Sequence, residues 1–306
     1  MTKTNLFLIG AAKAGTTALA EMLGNHSEIS PLAIKEPGHF CDDIYVEGFS
    51  AGYQKMLRWD EAQYFNAGAY DQRHMAFVQR RENYDLLVTE ADKARYILDA
   101  STAYLPSVNA AENIAGYNSE AKVIVSLRNP LTRAYSHYNM ARKYGKEQRS
   151  FLEAIKAEGA LEKARWGWDE CYLELSNYAP QLGRWLKHFP KENIHVVWQD
   201  ELLTEPAATL QGISKFLGLK EDLKPLAEEK HGAEVPKNKA VGKVLGGIGP
   251  AVASILPEKI KTSVKNIVLA KPEDMEEAAR SFLLRYFAPS IEALEKLLEK
   301  DLTHWK

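Results

Sequence analysis

Cysteine is scarce in this chain. Cys41 and Cys171 are the two among 306 residues. Their separation matches no zinc or redox spacing and argues against a disulfide framework. That usage fits a reducing compartment, and a cytoplasmic protein is the expectation. A basic surplus is missing too: 39 Lys and Arg stand against 41 Asp and Glu, a formal net charge of −2. Nucleic-acid binders ordinarily show a marked positive excess, so no nucleic-acid partner is expected. Long apolar runs are also absent. Met1-Thr2-Lys3-Thr4-Asn5 leads directly into a short apolar segment, without the apolar region and small-residue cleavage site of a signal peptide. The longest uncharged stretch, 244–257, is about 14 residues against the roughly 20 of a spanning helix. Gly246, Gly247, Gly249 and Pro250 interrupt it. No transmembrane segment is expected, which leaves peripheral contact with lipid open. The sequence shows no internal repeat, no low-complexity tract and no evident Asp or His cluster that would hold a metal.

What remains is ordinary globular composition, 45% hydrophobic and 26% charged. Short apolar segments alternate with helical patterns. Strands are expected over Asn5–Ile9, Arg95–Leu98, Lys122–Leu127 and Asn193–Trp198. Helices are expected over Thr16–Leu23, about Thr132–Tyr144 and Ala179–His188, and again up to Gly218 with Thr204 as cap. This alternation predicts one α/β domain over 1–306, a three-layer α/β/α architecture around a central parallel β-sheet. A charged segment with Pro225 and Pro236, 221–243, reads as a long surface loop suited to cover a ligand. The segment 276–302 reads as amphipathic helix broken near Pro289.

The informative motif is Gly10-Ala11-Ala12-Lys13-Ala14-Gly15-Thr16-Thr17, between the first strand and first helix. Successive backbone N–H groups in such a turn point at an anion, and the helix N-terminus favours negative charge. The two glycines have the spacing of a nucleotide phosphate loop, G-x-x-x-x-G-K-[ST]. Thr16 stands where that loop has lysine, and the lysine lies inside the loop as Lys13. A second anion motif follows the third strand, from Arg128-Asn129-Pro130 to Arg133 and Ser136. Arg128 falls at a strand's carboxyl end, where open α/β sheets bind ligands, and its guanidinium suits bidentate phosphate contact. Arg133 and Ser136 share a helix face. Two anion sites on one sheet suggest a nucleotide with phosphates at both ends.

These motifs resemble those of the sulfotransferases that use 3′-phosphoadenosine-5′-phosphosulfate (PAPS), in particular the bacterial and glycan-type members such as the heparan sulfate enzymes. The loop resembles that family's 5′-phosphosulfate loop, and Arg128 to Ser136 its 3′-phosphate motif. Lys35-Glu36-Pro37, Leu98-Asp99-Ala100-Ser101-Thr102-Ala103-Tyr104, Tyr178-Ala179-Pro180-Gln181-Leu182-Gly183-Arg184-Trp185 and the ending Tyr286-Phe287-Ala288-Pro289 to Trp305 resemble further, weaker elements. The resemblance implies a P-loop-like fold and an EC 2.8.2 transferase that uses PAPS without a metal. The acceptor would be a small molecule or glycan, with carbohydrate or glycolipid favoured. It implies that Lys13 stabilises the leaving phosphate and that Lys13, Ala14, Gly15, Thr16 and Thr17 hold the 5′ end. Arg128 and Ser136 would bind the 3′-phosphate, Tyr178 would lie near the donor, and Glu36 would be the general base. Two departures stand out. Gly38 adds a residue between Pro37 and the aromatic pair His39-Phe40, which keeps His39 as an alternative base. Thr102 replaces the proline of the [ST]-P element. The alternatives are a small-molecule kinase with an atypical loop, using Asp99 or Asp200 to hold Mg²⁺, and a non-catalytic nucleotide-binding protein. Arg142, Lys143, Lys146 and Arg149 form one basic cluster and Lys237, Lys239 and Lys243 another; such clusters are ordinarily solvated faces.

Overall fold

The computed structural model describes residues 2–49, 51–57, 59–68, 70, 72–91, 94–161, 171–226, 235–236, 269–270 and 273–306. In chain order the elements begin β1 (Leu6–Leu8), α1 (Thr16–Gly24), β2 (Ile29–Pro31), β3 (Ile34–Lys35), α2 (Ala51–Leu57), α3 (Glu61–Asn66), β4 (Arg73–His74), α4 (Arg81–Ala91) and β5 (Tyr96–Ala100). They continue with α5 (Ala110–Tyr117), β6 (Lys122–Leu127), α6 (Pro130–Lys143), α7 (Phe151–Gly159), α8 (Tyr178–His188), β7 (Ile194–Trp198), α9 (Gln199–Thr204) and α10 (Pro206–Leu217). Then come β8 (Val235–Pro236), β9 (Leu269–Ala270) and α11 (Glu277–Leu298).

The sheet has five strands in the order β2-β5-β1-β6-β7, every pair parallel. Its strands read as near-continuous apolar runs because both faces are covered. Alternate residues divide between the faces. Phe7, Ile9, Ile97, Val123, Val125 and Leu127 point into a core shared with α4, α5, α6, α8 and α11. Leu6, Leu8, Leu98, Ala100, Ile124 and Val197 point into a second core under α1, α9 and α10. The result is the expected three-layer α/β/α domain.

The four expected strands are present, Lys122–Leu127 with the predicted ends. The sheet's outer strand β2 escapes a sequence reading because it is three residues long and ends on Pro31. Proline is tolerated there because β2 is an edge strand with a single neighbour. Thr204 does not cap a helix. It closes α9, its hydroxyl donating back to the Asp200 carbonyl at 2.9 Å, and α10 starts behind Glu205 with Pro206 in its first turn. Nor does Pro289 break the last helix, which runs unbroken from Glu277 to Leu298. Pro289 faces solvent, so water can reach the carbonyl its missing N–H leaves unpaired. Flanking Phe287 and Ile291 keep their places in the core.

Of the covering segment 221–243, residues 227–234 and 237–243 lie outside the described residues, as does the basic cluster Lys237, Lys239 and Lys243. Its Val235–Pro236 strand pairs antiparallel with β9 and lies beside α6. The uncharged stretch 244–257 also lies outside them. Among the described residues no helix is long and apolar enough to cross a membrane.

Candidate functional site

β1 delivers the first motif to the carboxyl edge of the sheet, at its centre. The loop that follows is stitched to β6: Ala11 N–H donates to Ser126 O and Ser126 N–H to Gly10 O. The Ser126 hydroxyl donates to Ala14 O at 2.6 Å. Gly10 is needed here, since at φ 146° a Cβ would come within 2.9 Å of Leu105 Cβ. Gly15, at φ 82°, precedes α1 and gives it no side-chain cap. A helix N-terminus without a side-chain cap leaves its first N–H groups to other partners, and the helix dipole favours an anion among them.

Lys13 has φ 70°, a left-handed conformation that costs an L-residue roughly 1–2 kcal/mol. That conformation carries the side chain over α6, where Nζ lies 3.4 Å from Met140 Sδ. Ser136 is four residues earlier on α6 and so shares that helix face. The Lys13 carbonyl accepts a hydrogen bond from Arg128 Nη1 at 3.2 Å. The two anion motifs are thus joined directly. Burial, then the nearby charges of Arg128, Arg133 and Lys143, all push the Lys13 ammonium below its ordinary pKa. Burial likewise lowers Arg128. The positive charges of Lys13 and Arg128 are therefore disfavoured by burial, a cost that a bound anion would relieve.

Asn129 caps α6, its side chain accepting from Leu131 N–H and Thr132 N–H. Arg128 Nε donates to Thr132 Oγ1 at 2.9 Å. The Tyr178 hydroxyl donates to Arg128 O at 2.9 Å. Tyr178 is buried, and burial pushes its phenol up to about 12, against the lowering effect of Arg133 and Arg128. Its hydroxyl fixes the backbone of Arg128. Ser136 is half-buried. Arg133 is fully buried and donates to Ser176 Oγ and to Tyr172 O at 2.8 Å. Although it shares the motif, it braces the segment before α8.

Glu36 comes from the other side of the sheet centre. Its N–H donates to Ala100 O at 2.9 Å, at the end of β5, and its φ is 64°. The side chain is buried with both oxygens engaged. Lys35 Nζ lies 2.8 Å from Oε1 and His74 Nε2 3.4 Å from it. Thr102 Oγ1 donates to Oε2 at 2.8 Å. Burial raises the carboxyl pKa, but Lys35 and His74 outweigh that and hold it at about 2. The turn that carries Thr102 runs beside the loop: Ser101 N–H donates to Leu8 O at 3.0 Å and Leu105 N–H to Ile9 O at 2.9 Å. The residue that departs from the expected proline is therefore a direct partner of Glu36.

His39 sits elsewhere. Its Nδ1 is 2.9 Å from Val78 O and its ring stacks on Tyr84 at 4.5 Å. Phe40, next to it, is buried in the core. Asp99 is fully buried and accepts hydroxyls from Ser101 at 2.7 Å, Tyr84 at 2.9 Å and Tyr104 at 2.8 Å. Burial raises it to about 6 against those three donors. Asp200 lies 3.1 Å from His304. Neither acid is held free to receive Mg²⁺ beside the loop. Of the first basic cluster, Lys143 contributes its field to Lys13, Arg142 lies over Tyr138, Lys146 over Tyr53, and Arg149 pairs with Glu147. Sequence reasoning missed His74, which reaches Glu36 from 38 residues away with no motif to mark it.

Residues 3–243 match the family model described as Sulfotransferase domain. The bifunctional heparan sulfate N-deacetylase/N-sulfotransferase 1 of Xenopus laevis is 28% identical over 311 residues, covering 96% of this chain and 30% of the relative. The human heparan sulfate glucosamine 3-O-sulfotransferase 5 is 31% identical over 219 residues, 69% of this chain and 52% of the relative. The chain thus spans about half or less of these relatives' length. In three dimensions it resembles the crystal structure of a sulfotransferase from Alicyclobacillus acidocaldarius, with TM-score 0.68 and 23% identity, covering 100% of this chain and 99% of that one. That likeness concerns the fold.

Proposed function

The chain belongs to the sulfotransferase domain family, and from that premise we propose that it moves a sulfuryl group from PAPS to a hydroxyl or amine on a carbohydrate or glycolipid. One observation carries this reading. The buried carboxylate Glu36 accepts a hydrogen bond from Thr102, in the turn after β5 that is hydrogen-bonded to β1 just ahead of the loop, while Lys13 of that loop and Arg128 beside it are charged groups that burial disfavours. Such an arrangement can accept a proton on one side and neutralise a leaving phosphate on the other. Lys13, Ala14, Gly15, Thr16 and Thr17 would hold the 5′-phosphosulfate. Arg128 and Ser136 would take the 3′-phosphate, and Tyr178 would act by fixing Arg128. Glu36 would remove the acceptor proton as its oxygen or nitrogen attacks sulfur. The bond from sulfur to the bridging phosphate oxygen breaks, and Lys13 meets the charge that develops there.

The carbohydrate acceptor is argued from the relatives, whose names specify heparan sulfate. The segment 221–243 is assigned as a cover over the donor, on the ground that Val235–Pro236 lies beside α6. A single domain over 1–306 is part of the same reading. A cytoplasmic location is argued from the scarcity of cysteine, Cys41 and Cys171 both being buried, and cell fractionation checks it.

Thermal unfolding with 3′-phosphoadenosine-5′-phosphate, set against Mg-ATP, tests the donor site. A ligand at about 100 times its dissociation constant adds roughly 2.7 kcal/mol, enough to raise the midpoint by several degrees. The expected result is a rise with the bisphosphate, reduced in Lys13→Ala and Arg128→Ala. A rise with Mg-ATP alone would overturn the transfer reading in favour of a kinase. Radiolabelled sulfate transfer to N-desulfated heparan sulfate then tests the acceptor class; saturable nucleotide binding with no transfer to any acceptor or to water favours the non-catalytic reading.

A further inference from the structure

Each turnover leaves a proton on Glu36, and that carboxyl has little contact with water. Its side chain is 8% exposed, against 60% for His74. Resetting the base requires a route by which the proton leaves. Among the described residues, Lys35, His74 and Thr102 contact the Glu36 carboxylate, and their chemistry separates them. Lys35, 2.8 Å from Oε1, is an ammonium with three donors and no lone pair. Thr102 donates its hydroxyl to Oε2 and is itself buried. His74 differs in both respects. A neutral imidazole has one nitrogen with a free lone pair, and Nε2 lies 3.4 Å from Oε1.

The backbone holds this placement. β3 and β4 pair in parallel with Lys35 opposite His74, which puts both side chains on one face of the two-stranded ribbon. Met75 N–H donates to Lys35 O at 2.7 Å and Ala76 N–H to Glu36 O at 3.2 Å. His74 is thereby held beside the carboxylate at the protein surface.

On the transfer reading above, we infer that His74 is the relay by which the acceptor's proton passes from Glu36 to solvent. The acceptor oxygen or nitrogen forms its bond to sulfur as its proton moves to Glu36, and the bridging S–O bond breaks with its electron pair going to the departing nucleotide. The protonated carboxyl then donates to His74 Nε2, the ring's Nδ1 carrying its own hydrogen. The imidazolium then releases its Nδ1 proton to water, which leaves Glu36 ionised with His74 Nε2–H donating to it, and proton exchange with water returns the ring to the Nδ1–H form before the next turnover. His74 never touches the reacting atoms; it acts through Glu36.

The test compares wild type, His74→Ala and His74→Gln. PAPS is the donor and N-desulfated heparan sulfate the probe acceptor, and formation of 3′-phosphoadenosine-5′-phosphate is followed with and without that acceptor. Gln keeps a donor toward Glu36 but cannot carry the proton, so it separates positioning from relay. The expected result is kcat lowered about tenfold or more in both variants, with KM for PAPS and the thermal midpoint near wild type. Added imidazole should restore the Ala variant, since it supplies the missing proton carrier. Wild-type kcat in either variant would overturn the inference, and so would a loss in His74→Ala that imidazole leaves unchanged. Wild-type protein that forms no product nucleotide under either condition would instead overturn the transfer reading on which the inference rests.

Discussion

At the scale of single residues, the site depends on two side chains of opposite sign, each on a left-handed backbone. Lys13 and Glu36 have φ of 70° and 64°, and strain of roughly 1–3 kcal/mol per such residue is characteristic of functional positions. Glu36→Gln should lower kcat about 10²–10⁴-fold and leave the affinity for the product nucleotide unchanged by titration calorimetry. The same variant has a stability signature. The folded pKa of Glu36, about 2, lies below its ordinary 4.5. Its contribution is therefore present above about pH 4.5 and lost as pH falls toward 2. Denaturant titrations between those limits should show a shallower pH dependence in Glu36→Gln than in wild type. Thr102→Val removes the donor to Oε2 and leaves a buried acceptor unsatisfied, at a cost of about 1–3 kcal/mol; chemical denaturation measures it. The loop lysine and the arginine at the end of β6 were legible in the sequence because each belongs to a local motif. The surroundings of Glu36 were not, because Thr102 and His74 reach it from 66 and 38 residues away.

At the scale of elements, the phosphate loop depends on its neighbours as much as on its own residues. Gly10→Ala would bring a methyl to 2.9 Å from Leu105 Cβ, and such overpacking typically costs about 1–3 kcal/mol. The expected outcome is a lowered thermal midpoint together with weakened nucleotide binding, because the loop must move away from the turn after β5 that carries Leu105. α7 offers a test of a different kind. Glu158 accepts N–H groups from Tyr172 at 2.6 Å, Leu173 at 2.8 Å and Glu174 at 2.9 Å. Burial nevertheless raises its carboxyl from 4.5 to about 7, against those donors and Arg133. An acid raised in the folded state binds more protons there than when unfolded. Its contribution is complete below about pH 4.5 and declines as pH rises to 7. Stability of Glu158→Gln, followed by urea unfolding across that window, should lack this decline. Strand β6 was readable to its last residue because a parallel strand buried on both faces needs an unbroken apolar run. Edge strand β2 carries no such constraint, and Thr204 resembles a cap because its hydroxyl serves the end of one helix just before the next begins.

At the scale of the whole molecule, the sheet order β2-β5-β1-β6-β7 brings the ends of β5, β1 and β6 side by side. From them come Thr102, the loop and Arg128. The α/β class and the layering follow from alternating patterns along the chain, but strand order does not, and strand order is what brings Thr102, the loop and Arg128 to one edge of the sheet. If 221–243 covers the donor, 3′-phosphoadenosine-5′-phosphate should slow proteolysis within it severalfold, read by mass spectrometry of early fragments. Equal cleavage with and without the nucleotide would argue against a cover.

The hydrogen bond from Arg128 to the Lys13 carbonyl spans 115 positions of sequence, so the two anion motifs are joined by a long-range contact. Contacts of that separation are closed late in folding, after local helices. During refolding from denaturant, helical signal should therefore recover before nucleotide binding does. Captured nucleotide would report the moment at which β1 and β6 have found each other.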